Sequence, residues 1–446
     1  MIKRVNKEFD ETYYEDTLDN GLKVVIFHKP LFKTSSCVFA TRYGSLDLDQ
    51  IDENGNIIHT QSGAAHFLEH KLFEDEDSDV MSKFCAMGCN VNAFTSYQET
   101  CYYFETSNEN IDEPLNLLLD FVQKLNISDK SVEKEKPIIE QELKMYLAMC
   151  DQRIILETFK SLFKKHPIRN DIGGTSESVY ATTVDDLNKA YTLNYHPSNM
   201  MLVIVSPIDP MHLIDVVKEN QSHKVFAKVN KIRRYIEDED EKVNEKYKEL
   251  EMDVEISRVS VGVKLKIEED NIYDIVKKDW IIRFIFESYF SSINANYQKW
   301  IDEHSISPLF YCDNDYTSDY GAIVFVDETN EHQRFFDFIN SRLDDIKNIK
   351  IDKKAIEQMK NRNFGILMKS FNKPDSVAIT HFRCFENDMN AFDLLKIIQS
   401  ISVEDCQKVL NELDLNNRCY VVIHGKNSKD GKKMQVFLYD TCIFLD

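Results

Sequence analysis

The stretch QSGAAHFLEHKLFE, residues 61–74, decides how this chain is read, and within it the five residues HFLEH, His66 to His70. On a helix, residues three and four apart share a face, so His66, Glu69 and His70 project together. Two imidazoles one turn apart, with a carboxylate beside them, supply two ligands and a base for a hydrolytic metal. The order is the inverse of the common zinc-peptidase motif. Zinc in such a site takes three protein ligands and keeps a position for water, whose pKa falls to about 7 on binding. Glu69 is placed to take the proton from that water. A third ligand must come from elsewhere in the chain. Ser62 reads as the N-cap of the helix, and Gly63, Ala64 and Ala65 as small residues that let another backbone come close.

Before the motif, Asn20-Gly21 is a turn signal, followed by buried strands over 22–28 and about 36–44 and a polar loop over 47–61. After it come a short helix over 80–87 and a hairpin made by CNVNAFTS and YQETCYYFET. An apolar helix over 110–125 precedes a second one over 131–149, which carries Glu133, Glu135, Glu140 and Glu142 with Pro137 inside it. That helix is the obvious source of the third ligand. Glu135 and Glu142 are seven apart, two turns on one face, but so are Glu133 and Glu140, and spacing alone does not choose. A third helical stretch to about 165, a Gly173-Gly174 loop, a helix over 184–193 and a strand over 200–206 follow.

At 446 residues the chain exceeds one ordinary core, so two domains of about 200 residues are expected. The blocks of charge between 226 and 250 read as the linker, dividing a domain over 1–225 from one over 251–446. In the second half, strands are expected over 254–267, 321–327, 418–424 and 434–444. Helices are expected over 274–289, 294–303, 330–371 and 387–412. The loosely similar order of elements in the two halves points to duplication.

Lys and Arg number 54 against 76 Asp and Glu, a formal net charge of −22 that argues against a nucleic-acid surface. The plain reading is a protein with solvated acidic faces; the sharper one is an acidic chamber that attracts basic peptides. No apolar run of the roughly 18 residues needed to span a bilayer occurs, so neither a signal segment nor a membrane partner is expected and a cytoplasmic location is. Ten scattered cysteines suggest no disulfide framework, and Cys85 and Cys89 read as small apolar packing groups.

From about residue 20 to 205 the chain resembles the inverted-motif zinc peptidases: pitrilysin, insulin-degrading enzyme, the mitochondrial processing peptidase and their smaller bacterial relatives. The resemblance rests on DNGLKVVIF, GAAHFLEHKLFE, NAFTS, VEKEKPIIEQEL, GGT and YHPSNMMLVIV, six segments in the family's order. It implies one zinc per chain on His66, His70 and Glu142, with Glu69 as the base and Glu135 assisting. It also implies that peptide substrate adds as a strand along Asn92, Ala93, Phe94 and Thr95. In single-chain members an arginine and, seven residues later, a tyrosine stabilise the oxyanion from the C-terminal half. Here the matching places fall on Ile301 and Pro308, and no arginine occurs from Phe284 to Gln333.

The expected fold is therefore α+β: two similar domains, each a mostly antiparallel sheet with helices packed on one side. The expected function is zinc-dependent endoproteolysis in an enclosed chamber, with a related subunit supplying the arginine and tyrosine and a ribosomally made precursor peptide as substrate. General clearance of short peptides and a non-catalytic peptide-binding subunit are the alternatives. The ligand set fits several divalent ions.

Overall fold

The computed structural model describes residues 1–74, 79–227 and 232–426. The first half is built on a seven-stranded sheet ordered Ile2–Asn6, Glu11–Thr17, Lys23–His28, Met200–Ser206, Ser35–Thr41, Thr100–Thr106 and Asn90–Thr95. Every pairing is antiparallel except that between Lys23–His28 and Met200–Ser206. Ser35–Thr41 and Met200–Ser206 are buried along their whole lengths, as strands covered on both faces; the second is apolar up to its last residue, and the first buries Ser35, Ser36 and Thr41 at its ends. The second half has a five-stranded sheet ordered Tyr247–Glu251, Arg418–His424, Arg258–Leu265, Gly321–Glu328 and Tyr311–Tyr316. It too is antiparallel except at one pairing, between its outer strand Tyr247–Glu251 and Arg418–His424. The α+β architecture of two similar sheet-and-helix halves is thus as expected.

Each sheet carries the helices of its own half on one face. Cys37 and Phe39 pack with the motif helix (Ala64–Leu72) and with Asp112–Val122, while Val259, Val261 and Val263 pack with Ile272–Tyr289 and its neighbours. The opposite face of each sheet is covered by a helix from the other half. Pro374–Glu386 brings Val377, Ala378 and Phe382 against Val38, Ala40, Val203 and Val205 of the first sheet. In return, Cys150–Leu162, here the bridging helix, lays Cys150, Ile154, Phe159 and Leu162 on the second sheet. Thr158 shares a hydrogen bond with Ser260 there, and a Cβ on Gly262 would come within 2.8 Å of Thr158. Gly262 is what lets this helix approach so closely.

Several boundaries differ from expectation. The helix Pro374–Glu386 lies in a gap between two expected helices, although Pro374 at its first turn is a start signal. The strand Tyr311–Tyr316 was not expected; its polar sequence, YCDNDY, suits an edge. The charged stretch 226–250 is not uniformly a linker. Arg233–Arg234 pairs with Asp49–Ile51 in a small three-stranded sheet, and Tyr247–Glu251 begins inside the stretch. Arg234 is fixed by Asp47 at 2.9 Å and Asp319 at 3.2 Å, a carboxylate from each half. The expected closing strand over 434–444 lies outside the described residues.

Candidate active site

The motif helix begins at Ala64, and its N-cap is Gly63, not Ser62, with no side-chain cap. Gly63 has φ +87°, and a Cβ there would sit 2.3 Å from the carbonyl oxygen of Gly173. Gly174, at φ +84°, would likewise strike the carbonyl oxygen of Ser62 at 2.6 Å. Two backbones in contact, both needing positive φ, leave glycine as the residue that fits. The Gly173-Gly174 loop is thereby locked under the helix, and the helix start is held by tertiary contact instead of a cap.

The helix that faces it spans Asp129–Ala148, starting from a capping box between Ser128 and Ser131, so the expected start at Ser131 is two residues late. It runs through Pro137 without interruption. Its glutamates divide by face. Glu133 pairs with Lys136, and Glu140 with Lys144 at 3.0 Å, both within the helix. Glu135 and Glu142 instead meet the histidines. His70 Nδ1 lies 3.1 Å from Glu135 Oε1, His70 Nε2 lies 3.2 Å from Glu142 Oε2, and His66 Nε2 lies 3.8 Å from that same oxygen. This is the pair that the resemblance singled out and that spacing left open.

One donor atom from each of His66, His70 and Glu142 can be chosen so that all lie within 4.8 Å of one another. Donors around a tetrahedral zinc at about 2.0–2.1 Å would be about 3.3 Å apart, so the two nitrogens and one oxygen fit such an ion with small side-chain adjustments. Glu135 fits a supporting role, holding the remote nitrogen of a candidate ligand histidine and thus its ring orientation. Lys71, missed in the sequence although it adjoins His70, is fully buried beneath this group. Its ammonium donates to the carbonyl of Ser131 and pairs with Glu74 and, at 3.5 Å, with Glu135.

Burial opposes charge on both histidines, but their partners differ. His66 is pushed down to about 4 by burial and by the adjacent His70. In His70 the same desolvation is outweighed by the hydrogen bonds that the ring donates to Glu135 and Glu142, which raise it to about 9. A proton on His70 therefore occupies the lone pair that a metal would need. Zinc uptake at pH 7 is expected to expel about one proton, and affinity to rise with pH until about 9. Calorimetric titration in two buffers of different ionisation enthalpy measures that proton; equal heats in both buffers would contradict it.

Glu69 does not join the three ligand candidates. Its Oε2 accepts a hydrogen bond from Thr95 Oγ1 at 2.6 Å, and burial raises its pKa in spite of that bond. Thr95 ends the strand Asn90–Thr95, which is last in the seven-stranded sheet, so one of its edges is unpaired within that sheet. Asn92, Ala93, Phe94 and Thr95 all line a cavity of about 570 Å³ together with His66, Glu69 and Glu142. Tyr146, Arg153 and Asp171 line the same cavity and were not picked out in the sequence; Tyr146 was legible only as the position one turn beyond Glu142, and Arg153 lies on the next helix, past the break at Met149. Ile301 packs into the second core and Pro308 is exposed, and neither lines this cavity. The arginines that bracket the empty interval are engaged in their own half, Arg283 with Asp313 and Arg334 with Glu331.

Comparison with known proteins agrees with this geometry. Residues 54–176 match the insulinase family of peptidases, M16, and residues 181–363 match the domain described as the M16 inactive domain. A Bacillus subtilis protein described as the uncharacterized zinc protease YmfH is 36% identical over 416 residues, covering 92% of this chain and 96% of its own length. Among solved structures, an M16-like peptidase from Alicyclobacillus acidocaldarius superposes with a TM-score of 0.87 at 29% identity, covering 93% of this chain and 98% of that one. A Helicobacter pylori protease shares the fold, with a TM-score of 0.79 at 18% identity over 92% of this chain and 99% of that one. With the His-x-x-Glu-His helix, the seven-spaced glutamates and the duplicated sheets all in place, this chain belongs to peptidase family M16.

Proposed function

We propose that the chain is a zinc-dependent endopeptidase acting on extended peptides, with His66, His70 and Glu142 as zinc ligands and Glu69 as the general base. The observation that carries this reading is the convergence of those four side chains with an unpaired strand edge in one cavity. Zinc held there would polarise the scissile carbonyl and lower the pKa of water. Glu69, steadied by Thr95, takes the proton from the attacking water and returns it to the leaving amine. The edge Asn92–Thr95 fixes the peptide by main-chain hydrogen bonds, which gives affinity with little sequence selection. Glu135 keeps the His70 ring in register for the metal.

The proposal extends to a related subunit that completes the oxyanion site, supported by the lack of arginine from Phe284 to Gln333. Maturation of a ribosomally made peptide by removal of its leader is the substrate class we favour. A cytoplasmic setting accords with the absence of disulfides among the described cysteines. No described helix is long and apolar enough to cross a membrane.

The test is hydrolysis of internally quenched peptides by the purified chain, alone and mixed with a related M16 subunit from the same genome. Cleavage abolished by chelator, restored by zinc and raised tenfold or more by the second subunit is the expected outcome. Cleavage indifferent to chelator would remove the zinc-peptidase reading. Peptide binding with no cleavage in either mixture would favour a non-catalytic subunit instead.

A further inference from the structure

Among the described residues lining the catalytic cavity, Arg153 is the one Lys or Arg. It is the fourth residue of the bridging helix, and its side chain is 28% exposed. Its Nη2 lies 3.0 Å from Glu157 Oε1, but that carboxylate is shared. Lys160 Nζ is 3.1 Å from the same oxygen, and Lys248 Nζ is 2.6 Å from Oε2. Glu245 also faces Lys248 at 3.9 Å and Asp171 lies within electrostatic reach of Arg153 and Lys160, so the charges roughly balance, but a guanidinium has five N–H donors to place and a shared carboxylate takes few of them.

The other carboxylates of the cavity make their hydrogen bonds elsewhere, although Asp171 also attracts Arg153 electrostatically. Glu142 is held by His70, Glu69 by Thr95, and Asp171 Oδ1 accepts from the backbone N–H of Gly173 at 2.9 Å. The lining of the cavity also includes the apolar Leu147, Ile155 and Leu156 beside the polar Gln152 and Tyr97. A cation with spare donors in a partly desolvated setting is a carboxylate receptor, because a planar fork matches a carboxylate and water competes less well there.

We infer that Arg153 is the specificity-determining residue of this cavity and selects peptides that carry a carboxylate, on a side chain or at the C terminus. The inference rests on the proposed peptidase reading, in which a peptide strand lies along Asn92–Thr95. Such a strand turns alternate side chains to the same side, so one position along it meets the bridging helix. The chain's net charge of −22 works against an acidic peptide at a distance. That field is screened at physiological ionic strength, whereas the contact with Arg153 is not.

The probes are labelled octapeptides that differ only by Glu or Gln at one scanned position, each with a free or an amidated C terminus. Binding is read by anisotropy at physiological salt on zinc-loaded Glu69→Gln protein. The Glu/Gln arm reports a side-chain carboxylate and the acid/amide arm a terminal one. One of these pairs is expected to differ about tenfold or more, the scale of a charge-assisted hydrogen bond. Adding Arg153→Gln brings that ratio close to one, and Arg153→Glu reverses it in favour of a Lys-substituted peptide. Lys160→Gln removes another partner of Glu157 and leaves the ratio unchanged. Equal binding of every pair, absence of binding, or a preference that survives Arg153→Gln overturns the inference. Cleavage of an uncharged peptide by protein that retains Glu69 reports separately on the peptidase reading.

Discussion

Glu69→Gln is expected to leave the fold and the metal ligands in place and to lower kcat/KM on peptides by about two to four powers of ten, the usual contribution of a positioned general base. The exchange is nearly isosteric. A glutamine carbonyl accepts the hydrogen bond that Thr95 Oγ1 now gives to Glu69 Oε2, so the side chain stays where it is while losing its basicity. The same residue is expected to set the acid side of the pH profile. Burial raises the Glu69 pKa above the ordinary carboxylate value, so the proton returns, and activity falls, at a higher pH than an exposed glutamate would give. Steady-state kinetics with zinc content measured in parallel decide the matter. Activity within threefold of the starting protein, at equal zinc content, would remove Glu69 from the mechanism.

The second large effect concerns the glutamate helix. Glu142→Gln takes a charged ligand from a three-residue set, and zinc that survives dialysis should drop from about one per chain to near zero, with activity following it. Glu135→Gln should do less, weakening zinc about 10–100-fold, because it removes the partner of His70 Nδ1 and leaves all three donors present. Glu140→Gln, which loses a pairing with Lys144 on the same helix, should retain zinc. Metal analysis after dialysis against a graded chelator ranks the three. If Glu140→Gln lost zinc while Glu142→Gln kept it, the assignment of faces would be wrong.

Much of the first half was legible because its signals are local. A three-and-four spacing puts histidines on one face, and an apolar run between turn signals makes a buried strand. The choice between Glu135/Glu142 and Glu133/Glu140 was not local, since both pairs share one period. The structure separates them through their neighbours: Lys136 and Lys144 hold the second pair on the helix surface, while His70 and Lys71 draw the first pair inward. Ser62 looked like a cap because caps are read from residue type. The position is instead governed by the carbonyl of Gly173, more than a hundred residues away, against which Gly63 must pack.

The exchanged helices were the least legible part. An amphipathic pattern says that a face is buried and is silent about which sheet buries it. Cys150–Leu162 reads as a continuation of its own half, yet its apolar face meets Val324, Val326 and Ala322 of the other. Pro374–Glu386 carries His381 and Cys384 among its apolar residues, which blurred the helical period, and its burial against Val38 and Val203 could not be foreseen.

The exchange gives the second half a part to play even though none of its described residues lines the cavity. Gly262 sits on a strand of the second sheet, and its lack of a side chain sets how deeply Thr158 can seat. Arg153 rides on the same helix, just over one turn before Thr158. The seat at Gly262 thus bears on the depth of the helix that also carries Arg153. A Gly262→Ala exchange, one methyl group in the second half, is therefore expected to shift the helix that brings Arg153 to the cavity.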